Sequence, residues 1–306
     1  MHKPSPSPSQ DVPGPEHQRV DGVRAAIDEG GGVLRRRDLL QLGFSDRRIA
    51  AALRSGTIVR ARQGWFANPN LTPIVMDALR AGGYLSGAAA LETYGVWMPE
   101  RPSRSLQVPR NASRNGKRLQ NVRTSVHWGA EAHPDPSSPR PVWRAQPAEA
   151  FAQVLRTCSR DAAVIIADSM INIGLESREV LRGIFLRSGE RVAGWFGLVD
   201  ERADAGGETL ARLRLGDAGI LAVPQFVIPG GGPFDLRVSA RGLLEVDGRE
   251  HHDSSEAFFR DREKDLRAAV RGFEVLRLTY AQLRDQWPMC LAVFHRWCDE
   301  HGPADV

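Results

Sequence analysis

The sequence contains little cysteine, little lysine and no long hydrophobic run. Its three cysteines, Cys158, Cys290 and Cys298, form no C-x-x-C pair, so neither a disulfide framework nor a thiolate zinc site is indicated. No apolar run approaches the ~20 residues that a transmembrane helix needs. We therefore expect no membrane partner.

The N-terminal segment also lacks the apolar stretch of a signal peptide. Residues 1–17 are rich in proline and serine, which predicts a disordered tail and a cytoplasmic protein. The remaining composition is typical of a globular chain, with 42% hydrophobic and 25% charged residues. A length of 306 residues suits two domains or three small ones.

Positive charge is concentrated near the N-terminus. The net charge of the chain is +4, whereas residues 18–66 hold ten arginines and five acids, an excess of five. The whole chain favours arginine, with three lysines among 41 basic residues. This general bias is an alternative to phosphate binding as the explanation for the arginines near the N-terminus. The charge distribution therefore suggests a nucleic-acid-binding segment but is not sufficient to identify one.

Residues 18–68 carry the pattern of a winged helix-turn-helix. Apolar and glycine spacing predicts three helices, the third of which begins at Ser45 and ends at Gly56, and an alternating basic wing follows. The candidate DNA-binding arginines are Arg47, Arg48, Arg54, Arg60 and Arg62. We expect Arg60 and Arg62 to share one face of the wing. An arginine-bearing helix suits the major groove and a basic wing suits the neighbouring backbone. The alternative is a small helical domain that binds protein or packs on its neighbour.

This segment resembles the N-terminal domain of the AbiEi-like antitoxins of abortive-infection systems. In that family a glycine turn after the third helix is followed by the pattern R-x-x-x-G-x-Y/F, which Arg60, Gly64 and Phe66 meet. The resemblance implies DNA as a partner, and a cognate toxin as a further one.

The middle of the chain, residues 69–205, shows no catalytic constellation. Small residues at 86–95 predict close packing of two elements, and two strands are predicted around a basic loop at 110–118. Three helices are predicted between 147 and 185. The basic loop either contacts phosphate or is a solvated turn, and the turn is favoured. We interpret the region as a mixed α/β link with a largely helical body.

The C-terminal segment contains a predicted β-hairpin that carries three acids. Two short apolar runs, Phe234–Val238 and Leu243–Val246, flank a tight connection. Glu245 and Asp247 are two residues apart on the second strand, so they share one face at a separation of roughly 7 Å. Asp235 lies on the first strand, and its face depends on the register of the hairpin.

The length of the hairpin loop decides which acids meet. A three-residue loop would pair Ser239 with Leu243 and set Asp235 opposite Asp247. A two- or four-residue loop would turn Asp235 to the other face. We expect the three-residue loop, and a solvated acidic face neutralised by arginine is the alternative.

Crowded carboxylates raise each other's pKa unless a positive charge lies among them. A hard divalent cation that takes oxygen ligands would supply that charge. The sequence therefore predicts Mg²⁺ as a cofactor, with Mn²⁺ as a substitute.

The run LLEVDGREHH and the residues after it resemble a nuclease-like domain allied to the very-short-patch-repair endonucleases, within the PD-(D/E)xK superfamily. The resemblance implies a restriction-endonuclease-like α/β fold for residues 206–306. It also implies Asp235 and Glu245 as metal-binding acids and Glu208, on the preceding helix, as a third. Capping of that helix is the alternative role for Glu208.

One departure from the superfamily concerns the position two residues after Glu245, where a lysine is usual and this chain has Asp247. His252, which follows the turn, is then the candidate general acid or base. A helix predicted to end at Arg271 follows. Its predicted inward residues are Phe258, Phe259, Leu266 and Val270, and its predicted phosphate-facing residues are Arg260, Lys264 and Arg267.

The sequence thus predicts a multidomain α/β protein with an N-terminal winged helix-turn-helix, a helical middle and a C-terminal endonuclease-like domain. The predicted function is DNA binding with Mg²⁺-dependent DNA cleavage, in phage defence or mobile-element biology. The alternative is a non-catalytic antitoxin or transcriptional repressor.

Overall fold

The structure, a computed structural model, describes residues 15–99, 104–109, 124–129, 143–203, 206–229, 231–247 and 255–305. The chain forms two compact units. The first comprises residues 1–90 and 103–145, and the second comprises residues 91–102 and 146–306. Within the described residues, three sheets of three, four and three strands, together with the helices, confirm a multidomain α/β protein.

The N-terminal part of the first unit combines three helices with a three-stranded antiparallel sheet. The elements are α1 (Pro15–Glu29), β1 (Val33–Arg35), α2 (Arg36–Gln41), α3 (Asp46–Arg54), β2 (Val59–Arg62) and β3 (Trp65–Ala67), with strand order β1-β3-β2. Ser45 caps α3 as predicted, and its side chain accepts a hydrogen bond from the Arg48 backbone N–H at 3.4 Å. Ile27, Leu39, Ile49 and Phe66 pack in the buried core between the helices and the sheet.

The predicted N-terminal tail overlaps the first helix. Residues 15–17, placed in the tail by their composition, belong to α1. Residues 1–14 lie outside the described part of the chain.

A second small sheet completes the first unit. The next elements are α4 (Pro73–Arg80), β4 (Tyr84–Leu85), α5 (Gly87–Glu92), β5 (Arg104–Pro109) and β6 (Thr124–Gly129), with strand order β4-β5-β6. The last two residues of α5, Leu91 and Glu92, belong to the second unit. The predicted strands on both sides of the basic loop are therefore confirmed, whereas the loop at 110–118 lies outside the described residues. Gly83 allows the chain before β4 to approach β5, because a Cβ there would lie 2.0 Å from the Gln107 carbonyl oxygen.

Helices dominate the first half of the second unit. They are α6 (Pro147–Val154), α7 (Arg160–Asn172), α8 (Arg178–Arg187) and α9 (Glu190–Ala193), followed by a 3₁₀ helix (Gly194–Leu198). The three helices predicted in this region are thus confirmed. Helix α7 is largely buried, and its apolar residues pack on all sides.

A buried carboxylate, Asp168, ties α7 to the chain that follows. Its oxygens accept hydrogen bonds from the Asp200 backbone N–H at 2.9 Å, from the Thr209 hydroxyl at 2.8 Å and from the Arg212 guanidinium at 3.1 Å. Burial raises the pKa of Asp168 to about 6, although these donors and the charge of Arg212 act in the opposite direction. Asp168 therefore connects these elements, but burial of its ionised form lowers the stability of the fold as the pH rises through about 6.

The remainder of the second unit is a four-stranded sheet between helices. Its elements are α10 (Gly206–Asp217), β7 (Val223–Ile228), β8 (Gly232–Arg237), β9 (Gly242–Asp247), α11 (Ser255–Val270), β10 (Glu274–Thr279), α12 (Tyr280–Asp285) and α13 (Trp287–His301). The strand order is β10-β9-β8-β7, and the β9–β10 pair is parallel while the others are antiparallel. Leu236, Leu244, Phe294 and Trp297 belong to the core on one face, and Leu243 and Ala268 belong to the core on the other.

Helix α11 packs on the sheet in a different orientation from the predicted one. Phe259, Leu266 and Val270, predicted to point inward, are 69%, 64% and 78% exposed. Ala268 is buried instead, and Lys264 forms an ion pair with the sheet residue Glu245. The small Ala268 side chain permits close packing, and the ion pair satisfies an acid that would otherwise be buried alone. Among the described side chains of α11, Lys264 and the small Ala268 therefore face the sheet; the side chain of Phe258 lies outside the described part.

The last described residues lie against the turn of the β8–β9 hairpin. The Ala240 N–H donates to the Gly302 carbonyl oxygen at 3.0 Å, and Ser239 and Pro303 form an antiparallel bridge. Ala304 is buried. This segment therefore packs as part of the second unit.

Within the described part of the chain, none of the helices has both the length and the apolar character needed to cross a membrane.

Candidate functional site

Three of the five candidate DNA-binding arginines are exposed. Arg47 and Arg54 lie on α3 and Arg60 lies on β2. Arg48 is half-buried, and its guanidinium lies over the Phe44 ring at 5.0 Å from the centroid. The exposed charges can reach a polyanion without loss of packing.

A bulge in β2 separates Arg60 from Arg62. Arg60 lies opposite Phe66 and Arg62 lies opposite Trp65, with an irregularity between the two arginines. Because this extra residue interrupts the two-residue alternation, the prediction of one shared face for Arg60 and Arg62 is wrong. Arg60 is exposed, whereas Arg62 is half-buried.

Arg62 belongs to a cross-strand row with Trp65 and Arg35. Arg35 on β1 and Arg62 on β2 both lie opposite Trp65 on the central strand β3. Their guanidinium carbons lie 4.6 Å and 4.4 Å from the Trp65 ring, within the range of a cation–π contact. Burial lowers the pKa of both arginines below the usual value. The prediction missed Arg35, since only the strand order reveals its place beside Trp65.

The hairpin that carries the acids has a different register from the predicted one. Arg237 pairs with Leu243 and Leu236 pairs with Leu244, so the predicted Ser239–Leu243 pair is wrong by two residues. The Ser239 hydroxyl accepts the Gly242 N–H at 2.8 Å, which draws Ser239 into the turn.

Glycine is required at position 242, where the hairpin turn meets α13. A Cβ at Gly242 would lie 2.3 Å from the Trp297 ring. The close approach of this ring fixes the start of β9.

The corrected register brings Asp235 to Glu245 instead of Asp247. The Asp235 Oδ2 accepts the Val246 backbone N–H at 2.6 Å, so this carboxylate reaches across to β9. Its charge contributes to raising the pKa of Glu245. Asp247 lies near Arg277, at 3.7 Å between the charged atoms.

Glu245 is a buried acid with a strongly raised pKa. Its side chain is nearly buried, and the Lys264 ammonium donates a hydrogen bond to Oε1. Burial first, and the charge of Asp235 second, raise the pKa of Glu245 to about 7, while Lys264 and Arg277 act in the opposite direction. Glu245 can therefore hold or release a proton near neutral pH.

Two cations flank Glu245. Arg277, directly opposite on β10, also binds Asp265 on α11 at 2.9 Å. The Lys264 ammonium lies 4.2 Å from the centroid of the Phe234 ring. Lys264 is thus held on the sheet by an acid and an aromatic ring, and its predicted availability to phosphate stays a prediction.

Glu208, the third predicted metal ligand, is buried near the start of α10. It is 4% exposed, and its Oε2 accepts a hydrogen bond from the Gln225 amide at 3.0 Å. Gln225 was not predicted as a site residue, because its signal is a backbone angle and not a sequence motif. His252 lies outside the described residues.

The potential metal ligands differ in how close their ligand atoms lie to one another. A group of potential ligands whose ligand atoms all lie within 4.8 Å consists of Glu274 on β10 with Glu300 and His301 at the end of α13. Among the described residues, Asp235, Glu245 and Glu208 do not form such a group. Their oxygen donors nevertheless suit a hard cation such as Mg²⁺ in chemical type.

Comparison with known proteins concerns the first unit. Residues 23–69 match the family described as "Transcriptional regulator, AbiEi antitoxin". No curated protein matches the chain. The resemblance of the N-terminal segment to these antitoxins is therefore confirmed, and it supports DNA binding in a toxin–antitoxin context.

Proposed function

We propose that the protein is a DNA-binding transcriptional regulator whose N-terminal segment acts as a winged helix-turn-helix. The family match over residues 23–69 carries this proposal. The order helix, strand, helix, helix, strand, strand from α1 to β3 supports it. In such a fold the third helix enters the major groove and the wing contacts the backbone.

Exposed arginines supply the contacts. Arg47 and Arg54 on α3 and Arg60 on β2 are accessible to solvent, and each can neutralise a phosphate or read a base edge. Arg62 has a different role, because its stack on Trp65 stabilises the base of the wing.

Salt-dependent DNA binding tests this proposal. The double variant Arg47→Ala/Arg54→Ala should bind a duplex from the promoter region of its own gene more weakly. The slope of log K against log salt should fall by about one for each phosphate that the variant no longer neutralises. Arg182→Ala, at an exposed arginine on α8, is the matched control and should keep the wild-type slope. Equal slopes for the double variant and the control would contradict the proposal.

A second candidate function is metal-dependent cleavage of a phosphodiester by the second unit. It is favoured by one observation, the ion pair between Lys264 and Glu245 beside Asp235. Lys264 brings to this acid the positive charge that Asp247 cannot supply at the usual lysine position.

In this function Asp235 and Glu245, with Glu208 or Asp247, would hold Mg²⁺. The ion, when bound, would polarise a phosphate and lower the pKa of a bound water. Lys264 would stabilise negative charge that develops on the phosphate. His252 is a candidate for proton transfer.

Plasmid nicking with Mg²⁺ or Mn²⁺ tests the second function. Glu245→Gln and Lys264→Ala should each abolish cleavage, while Glu263→Gln, at an exposed neighbour that pairs with Arg267, should retain it. If the wild type binds DNA with a steep salt dependence but does not cleave, the second unit is non-catalytic and the protein acts as a repressor.

The match to an antitoxin family also makes a toxin a proposed partner. Co-expression with the product of the adjacent gene, followed by affinity capture, would test direct contact. Rescue of growth without capture would place any neutralisation at the level of DNA or RNA instead.

A further inference from the structure

The strand β7 contains a residue in an unusual backbone conformation. Gln225 has φ +52°, and among the described residues it is the single non-glycine residue with a positive φ. A non-glycine residue in this left-handed region is strained, and it persists where its surroundings enforce it. Such a conformation is unusual in the middle of a strand, and it changes the direction in which the Gln225 side chain leaves the backbone.

The position of Gln225 is level with the acids of the hairpin. Strand β7 pairs with β8 through Pro224–Leu236 and Phe226–Phe234, which leaves Gln225 between these pairs at the level of Asp235. The irregularity of β7 therefore falls at the point where Asp235 reaches across to β9.

The Gln225 side chain is directed to a third acid. Its amide donates to the Glu208 carboxylate at 3.0 Å, and Glu208 is 4% exposed. An amide N–H can orient a carboxylate without adding charge and without competing as an anionic ligand. Gln225 therefore links the helix that carries Glu208 to the strand level that carries Asp235.

We infer that Gln225 is a positioning residue, whose strained backbone directs its amide to Glu208 and sets this carboxylate towards the site of Asp235 and Glu245. This inference rests on the proposed metal-dependent function of the second unit. In this role Gln225 would orient a ligand of the ion through its hydrogen bond to Glu208.

Replacement of Gln225 separates positioning from simple stability. Gln225→Gly removes the amide and also relieves the backbone strain, since glycine adopts positive φ readily. A positioning role predicts unchanged or higher thermal stability without metal, together with weaker metal binding. A purely structural role predicts lower stability and unchanged metal binding.

The experiment uses the full chain and measures Mn²⁺ binding by electron paramagnetic resonance, with thermal unfolding recorded in a chelator. We expect Gln225→Gly to weaken Mn²⁺ binding at least about tenfold, as is typical when an orienting partner of a ligand is removed. Val227→Ala, at an exposed position on the same strand, should stay within about twofold of wild type. If Gln225→Gly does not fold, Gln225→Asn, which tolerates the left-handed region, provides the same measurement with a shortened amide.

Glu245→Gln, measured in parallel, distinguishes the two possible failures. If Glu245→Gln weakens Mn²⁺ binding and the folded Gln225 variant does not, the positioning role is refuted and the metal site stands. If Glu245→Gln has no effect, the metal site and the positioning role are both refuted.

Discussion

Replacement of the buried Asp168 by asparagine should remove a defined part of the pH dependence of stability. Burial raises the pKa of Asp168 from 3.8 to about 6 in the folded chain. The folded state therefore binds a proton more tightly than the unfolded state, and the stability from this group is present below about pH 4 and is lost as the pH rises through about 6. An asparagine side chain does not titrate, so the variant should not show this decrease.

The size of the effect follows from the shift in pKa. A shift of about two units corresponds to about 2–3 kcal/mol between the two protonation states. The Asp168 side chain is 3% exposed, so solvent screening reduces this figure little. Between about pH 4 and pH 7.5 the wild type should lose about 2–3 kcal/mol relative to Asp168→Asn. The change with pH is the diagnostic quantity, because the fixed cost of altering the contacts to Thr209 and Arg212 cancels.

Urea unfolding at several pH values measures this difference. Glu92→Gln removes an exposed carboxylate from the same unit and controls for the removal of one negative charge. Its unfolding free energy should run parallel to that of wild type. Parallel curves for Asp168→Asn and wild type between about pH 4 and pH 7.5 would refute a raised pKa for Asp168.

Two further predictions concern packing in the second unit. Gly242→Ala should lower the free energy of unfolding by about 1–3 kcal/mol, since the new methyl group meets the Trp297 ring at 2.3 Å. The control Gly216→Ala, whose methyl group meets nothing within 4 Å, should be neutral or slightly stabilising. Equal urea midpoints for the two variants would contradict this reasoning. Leu266→Ala, at an exposed position, should change the free energy of unfolding by less than about 0.5 kcal/mol, while Leu243→Ala, in the core, should lower it by about 2–5 kcal/mol. Similar decreases for both variants would show that Leu266 faces the core, as the sequence predicted.

The sequence predicted the elements of the hairpin but not its register. Alternation along a strand gives the face of Glu245 and Asp247 directly, because the period of two is a property of the backbone. The register depends on contacts outside the strands, namely the Ser239 hydroxyl in the turn and the Trp297 ring against Gly242. Neither contact has a local sequence signature, so the predicted partner of Asp235 was wrong while the presence of the hairpin was confirmed.

Helix α11 and strand β2 show the same limit. Apolar periodicity favoured Phe259 and Leu266 as the buried face of the helix, but the sheet presents Glu245 there, and Lys264 satisfies it. In β2 the alternation of Arg60 and Arg62 correctly predicted a strand, whereas a single bulged residue changed the environment of Arg62. Local patterns thus predicted the elements, and long-range charge and ring contacts decided their orientation.

The bridge between Ser239 and Pro303 makes the end of the described chain a clamp on the loop that sets Asp235 beside Glu245. An affinity tag fused close to residue 305 would disturb this bridge. A tag at the opposite terminus is therefore the safer choice for any assay of Asp235 and Glu245. A protease that trims residues 302–305 would, for the same reason, loosen the hairpin from a distance without touching either carboxylate.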